Sequence, residues 1–481
     1  MKRTLAAVLL IASATSVLAQ EGGYPHERAP WEEIVTPPLH AFHPEPPRHL
    51  TLPNGIEIFL EEDHELPFIT GYMRIRGGSR DEPADKLGLV SLYGQSWRTS
   101  GTSTTPGDKL DDQLALKAAS IETGSGQAST YVSLNCFTQD FDSTFASALD
   151  LLRHPQFQQT KLDLARRSAM TGILRRNDEA DGIAVREALQ IAYGKDNPYG
   201  RTTQLATLSS IMLDDLNAWH KRTVVGSNII VGMVGDFDAK ALEAKLRKAF
   251  ESIPRGEKLA APKVAFSDAK PGIYFAAKDD VNQSNIYLVG LGTEESNPDY
   301  YALSVMNEIF SGGFGSRVVQ DVRTRLGLAY EVGGSFGAAY DHPGLFAISA
   351  GTRSAQTVAA TQAILKDVGE LRTETPSPEE LKRAKDDLLN SFIFRFDDTE
   401  KILAQQITLA VYGYPADFLE RYRAGIEKVT AEDVSRVANK YVQPEKLSIV
   451  VVGNPAELDP PLSKLGPVTT LDISIPGAPK E

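Results

Sequence analysis

Arg323 and Tyr330 are two side chains whose types and spacing suit work on a carbonyl group. Arginine carries five N–H donors in a fixed fork, and tyrosine adds a phenolic donor. Held together, they could bind a carbonyl oxygen or the oxyanion that forms when that carbonyl is attacked. Both lie within Ser311–Phe336, SGGFGSRVVQDVRTRLGLAYEVGGSF. The Gly-rich opening lacks the Lys-Ser/Thr of a phosphate-binding loop, so it reads as a turn that starts a helix, expected over Ser316–Arg325. Gly327 is placed to stop that helix in a left-handed conformation, and a strand is expected to begin in Ala329–Val332. The competing reading is an arginine in a surface ion pair and a half-buried strand tyrosine, both common.

The elements that must position this pair follow a repeating plan. The stretch from Asp215-Leu216 through Asn228–Gly235 recurs as Asp433-Val434 through Lys446–Gly453 at a constant offset of 218 residues, in each copy an amphipathic helix, a short loop and an apolar strand. Tyr193-Gly194 matches Tyr412-Gly413, one residue out of that register. The helix Ser377–Leu389, opened by a capping box at Ser377 and Glu380, corresponds to Lys161–Arg175. The chain is therefore a tandem duplication of a unit of about 210 residues. Within the first unit, Leu50–Leu60 reads as a hairpin turning at Asn54-Gly55. Phe68–Gly77 and Ser129–Phe137 read as strands, and Leu87–Thr99 and Phe145–Leu152 as helices. Thr105–Ala119 reads as a helix with Thr105 as N-cap and Pro106 at its first position. The expected halves are 49–250 and 272–460, joined by a Pro-rich linker, 251–271, with an extended arm at 20–48 and a tail at 461–481. The fold class is α+β, with a mixed or largely antiparallel sheet in each half covered by helices on one face.

A net charge of −13 without a long Lys/Arg run gives no nucleic-acid or anionic-membrane footprint. Met1-Lys2-Arg3, the apolar stretch Leu5–Leu18 and the small residues before Gln20 read as a secretory signal peptide, 1–19, which leaves no membrane span once removed. Cys136, the single cysteine, cannot form an internal disulfide and sits mid-strand with no histidine beside it. An exported chain of this size without disulfides suits a bacterial periplasm.

The segment VRTRLGLAY resembles the Arg/Tyr motif of the insulinase/pitrilysin metallopeptidases, closest to the branch with the mitochondrial processing peptidase. That resemblance covers roughly residues 45–460. It implies two homologous α/β-sandwich halves closing as a clam shell around a chamber. It also implies that Arg323 and Tyr330 reach into a zinc site built by an N-terminal half or by a partner chain. The family's zinc helix carries H-x-x-E-H, because two histidines four apart share one helical face and can meet one Zn²⁺. Here the landmark GGSRDEPADKLGL, Gly77–Leu89, is present, but the motif is not. Ser91 stands for the first histidine, Gly94 for the catalytic glutamate and Gln95 for the second histidine, while Gly172 stands for the distal glutamate. Thr123-Gly124-Ser125-Gly126-Gln127 replaces the family's substrate-binding edge strand, N-A-x-T-S.

Of the eight histidines, His40 and His43 are three apart in the Pro-flanked arm, and His64, His154, His220 and His342 read as surface or capping residues. The leading reading is a zinc-less subunit of an exported heterodimeric peptidase. It would hold no cofactor itself and lend Arg323 and Tyr330 to the zinc of a homologous partner acting on peptides. The alternative is a non-enzymatic scaffold or peptide-binding protein of the same fold. A third reading, a peptidase with a different metal site, has no cluster to support it beyond His40 and His43.

Overall fold

The computed structural model describes residues 46–479. The signal peptide, most of the arm, and His26, His40 and His43 lie outside the described residues. Strand-forming alternation is plain in Phe68–Arg76 and Ser129–Phe137, where burial switches nearly residue by residue. These are β3 and β5 of a six-stranded sheet whose other members are β1 (Arg48–Thr51), β2 (Glu57–Glu62), β4 (Ser120–Ser125) and β6 (Ile229–Gly235). The strand order is β1-β2-β6-β3-β5-β4. The first half's helices are α1 (Leu89–Ser100), α2 (Gly107–Ala115), α3 (Phe141–Arg153), α4 (Gln159–Leu174), α5 (Ala180–Tyr193), α6 (Leu205–Ser210), α7 (Leu213–Thr223) and α8 (Ala239–Phe250).

The second half has β7 (Gly272–Ala277), β8 (Gln283–Leu291), β9 (Thr293–Glu294), β10 (Glu331–Phe336), β11 (Ala338–Ala339), β12 (Leu345–Arg353), β13 (Ser448–Gly453) and β14 (Val468–Thr470). Its helices are α9 (Tyr300–Ser311), α10 (Thr357–Thr373), α11 (Pro378–Phe392), α12 (Thr399–Tyr412), α13 (Phe418–Lys428) and α14 (Ala431–Tyr441). The main sheet runs β10-β12-β8-β13-β7-β14, and β9 pairs with β11 alongside. Read backwards, this order puts β7, β13, β8, β12 and β10 in the places of β2, β6, β3, β5 and β4. The parallel pair β2–β6 has its counterpart in β7–β13. Helices α7 and α14 begin and end 218 residues apart, as the repeat requires. The outer strands differ: β1 lies antiparallel to β2, whereas β14 lies parallel to β7. The stretch expected to be a tail, 461–481, thus supplies a strand to the second sheet.

One expectation needs a larger correction. The central strands β6 and β13 are buried on both faces, not one. Their unbroken apolar runs, IIVGMVG and SIVVVG, are the signature of strands covered on two sides. The second cover comes from the other half. Leu403, Ile407 and Val411 of α12 pack on Phe59, Ile230 and Val234 of the first sheet. In return, Ala180, Ile183 and Ala184 of α5 pack on Ala276 and Val452, and Ala188 and Ala192 on Val289 and Val450. Gly232 permits the close approach of α12, because a Cβ there would lie 2.3 Å from Ile407 Cδ1. Arg76 donates to the terminal carbonyls of α12 at Val411 and Ala410, the latter at 2.7 Å, and Arg80 pairs with Asp341 across the same junction. Burying the three α12 side chains is worth on the order of 5–8 kcal/mol before conformational entropy is counted.

Locally, α2 starts at Gly107, and Thr105 does not cap it. Pro106 is drawn into a bridge with Gly101, so its backbone is extended and stays outside the helix. The capping box at Ser377 forms as expected, with Ser377 Oγ accepting from Glu380 N at 3.1 Å and Glu380 Oε2 from Ser377 N at 2.9 Å.

Because α12 closes a face of the opposite sheet, Ile407→Ala is expected to lower unfolding free energy by about 2–4 kcal/mol in a denaturant titration. The exposed Leu164→Ala should change it by less than about 0.5 kcal/mol. Equal, small effects would show that the exchanged helix contributes little.

Candidate functional site

The Gly-rich turn after α9 leads into the expected helix, whose Val319–Arg325 stretch is wound as a π-helix. Leu326 N bonds Asp321 O at 2.9 Å and Leu328 N bonds Val322 O at 3.0 Å, spans of five and six residues. The wider turn keeps Val318, Val319 and Val322 in the core while the chain swings towards β10. Such segments are rare and cluster at functional sites. Gly327 has φ 60°, the left-handed stop the sequence predicts. The strand itself begins at Glu331, so Tyr330 is the residue before it, not a half-buried strand tyrosine. It is 85% exposed.

Sequence spacing alone could not fix whether the two side chains meet. They do: the Arg323 guanidinium carbon lies 5.2 Å from the centre of the Tyr330 ring. It also lies 4.9 Å from the centre of Phe314, which is 71% exposed at the tip of the Gly-rich turn. Among the described residues Arg323 is in no ion pair and donates no hydrogen bond, so the surface ion-pair alternative fails. Phe314 escaped the sequence reading; its signal was an aromatic residue inside a glycine-rich turn, where nothing apolar is needed for the turn itself. Cation–π packing steadies the guanidinium through its face and leaves its N–H edge free. A free guanidinium edge beside a phenol suits a carbonyl oxygen or a carboxylate.

The second set of residues sits on α1. Ser91 and Gln95 are exposed on one face, and Gln95 Nε2 donates to Ser91 Oγ at 3.1 Å. Gly94 is buried against the edge strand β4, and a Cβ there would lie 2.9 Å from the carbonyl carbon of Gly124. Thr123 Oγ1 donates to Gly94 O at 2.7 Å and accepts from Arg98 N at 3.1 Å. The Thr123 hydroxyl is thus inserted between a carbonyl and an amide one helical turn apart, stitching helix to strand.

Helix α1 is further anchored by Tyr93, whose hydroxyl lies 2.9 Å from His220 Nδ1, while His220 Nε2 lies 3.1 Å from Leu152 O. His220 is therefore not the surface or capping residue expected; burial pulls its pKa down to about 4 and keeps it neutral. His342 is buried as well, with its ring 3.8 Å from that of Tyr199. His64 and His154 are exposed and pair with Asp236 and Asp150.

Zinc does not fit these residues. Ser91 and Gln95 offer a hydroxyl and a carboxamide where imidazoles are needed, and Gly94 has no room for a carboxylate. Gly172, on α4, faces open space and supplies no ligand. Among the described residues no cluster of three or more His, Cys, Asp or Glu could hold a metal ion.

The closed contact at Gly94 gives a direct check. Gly94→Glu is expected to cost about 1–3 kcal/mol through the clash with β4, whereas Ser91→His with Gln95→His, both on the exposed face, should leave thermal unfolding nearly unchanged. A Gly94→Glu protein as stable as the parent would show that helix and strand are not tightly docked.

Comparison with known proteins agrees with this architecture. Residues 57–206 match the profile described as insulinase (peptidase family M16), and residues 210–388 the profile of the peptidase M16 inactive domain. A non-peptidase homolog, YmxG, of Helicobacter pylori is 23% identical over 83% of this chain and 92% of its own. A probable mitochondrial-processing peptidase subunit beta of Arabidopsis thaliana is 24% identical over 84% of this chain and 78% of its own. The fold is shared with the crystal structure of a peptidase M16 inactive domain from Pseudomonas fluorescens, with TM-score 0.78 and 22% identity over 86% of this chain and 99% of that one. With both sequence profiles in tandem over about two thirds of its length, the chain belongs to the peptidase M16 (insulinase) family.

Proposed function

We propose that this chain is the zinc-less subunit of a two-chain peptidase. It lends Arg323 and Tyr330 to the zinc site of a homologous partner that keeps H-x-x-E-H. The observation that carries the reading is the Phe314–Arg323–Tyr330 cluster: a half-buried guanidinium braced by two exposed aromatic rings, with its N–H edge unpaired among the described residues, on a chain whose own zinc helix is closed at Gly94. In that arrangement the partner's zinc and glutamate activate the water. Arg323 and Tyr330 hold the oxygen of the scissile carbonyl as charge builds on it. The two chains would enclose a chamber, and residues 1–19 would direct this one to the periplasm. The names of relatives point the same way: one is a non-peptidase homolog, and another is one subunit of a processing peptidase.

The scaffold reading has no use for the cluster. A scaffold needs the sheets and the exchanged helices, not an unpaired guanidinium beside a solvent-exposed phenol.

Mixing experiments separate the two. Alone, the protein is expected to cleave no peptides; with an H-x-x-E-H chain from the same cell, cleavage should appear. Arg323→Ala should then lower kcat by roughly 10²-fold, the size of losing one oxyanion donor, with Tyr330→Phe also impaired. Turnover untouched by both substitutions would favour the scaffold.

A further inference from the structure

The π-helix that carries Arg323 has a second polar face, turned inward. Asp321 lies on it, two residues before Arg323, and meets Asp367 of α10. Asp367 is 4% exposed. Asp321 Oδ1 is paired with Arg325, but Asp321 Oδ2 and Asp367 Oδ2 are both buried with no donor among the described residues. Two buried acceptors in one pocket without a donor are costly, because each has given up its water. One proton held between them satisfies both at once.

The charged surroundings do not supply another donor. On α10, the Lys366 ammonium is 3.9 Å from Asp367 Oδ1 and 2.7 Å from Glu370. On the π-helix, Arg325 is taken by Asp321 Oδ1. From the start of α11 and the connection before it, Glu380 and Glu374 face the same pocket, and Arg317 is engaged with both. Carboxylates therefore surround the pair as closely as cations do.

We propose that Asp321 and Asp367 form a proton-operated latch: one shared proton docks the π-helix on α10 and holds Arg323 against Phe314 and Tyr330, and loss of that proton loosens the turn. The proposal deepens the regulation of the Arg323/Tyr330 site and rests on the reading above for its consequence, though not for its test. Burial, then the neighbouring Asp321 carboxylate, pushes the Asp367 pKa up to about 7. The sign follows from linkage. A carboxyl that keeps its proton when docked and releases it when loosened makes docking tighter in acid. Protection then falls as pH rises from about 4, the range of an ordinary aspartate, to about 7, and levels off above.

Hydrogen–deuterium exchange on the full chain, read at residues 319–328 and corrected for the intrinsic pH dependence of exchange, tests this without a partner or peptide. Protection is expected to drop at least tenfold between about pH 5 and pH 7.5. Asp367→Asn, whose amide can donate to Asp321, should hold acid-like protection at both values. A flat wild-type profile, or an unchanged slope in Asp367→Asn, would overturn the latch. So would protection restored at high pH by calcium alone in the wild type, which would make the pair a cation site. If instead the latch responds as stated but Arg323→Ala leaves partner-dependent cleavage intact, the trans-acting role fails and the latch stands.

Discussion

Each main sheet is completed by a helix from the other half, and that exchange is the constraint on which the architecture rests. Strands β6 and β13 have apolar residues on both faces, and neither half can bury its own. With α12 withdrawn, Ile230 and Val234 would face water; with α5 withdrawn, Val450 and Val452 would. The duplication is therefore one folding problem rather than two independent domains on a linker. Arg76 at the carbonyl end of α12 and the Arg80–Asp341 pair lie at the same seam, so its polar groups are matched as well as its apolar ones.

The two halves have spent their equivalent freedom differently. In the first, α1 is drawn so close to β4 that only glycine fits at position 94, and a threonine hydroxyl bridges the two backbones. The space a catalytic carboxylate would need has become packing. In the second, the chain widens into a π-helix before the edge strand β10 and packs a half-buried arginine against two exposed aromatic rings. One site is sealed by backbone contact, and the other is held open by backbone irregularity. The proposed role on a partner chain rests on this contrast between the two halves.

Much of this was legible in the sequence. The 218-residue repeat gave the spacing between α7 and α14 to the residue, because periodic apolar patterns and caps are local signals. The left-handed Gly327 and the Ser377 capping box were legible for the same reason. What sequence could not give was tertiary. The apolar runs of β6 and β13 announced burial but not which helix covers them. The π-helix hides in a sequence with ordinary helical spacing, since its register is set by Val319 and Val322 reaching the core. The two glycines at degenerate positions also looked alike in sequence, yet Gly172 faces open space whereas Gly94 is a close contact. His220 and His342 looked solitary because their partners, Tyr93 and Tyr199, are far away in sequence.

The central claim is that Arg323 and Tyr330 meet a zinc helix on another chain. A photoreactive phenylalanine analogue placed at Tyr330, irradiated in intact cells and mapped by mass spectrometry, addresses it directly. The account predicts a crosslink to a second M16 chain at or beside its H-x-x-E-H helix. Crosslinks confined to this chain itself, or to a protein lacking that motif, would contradict it.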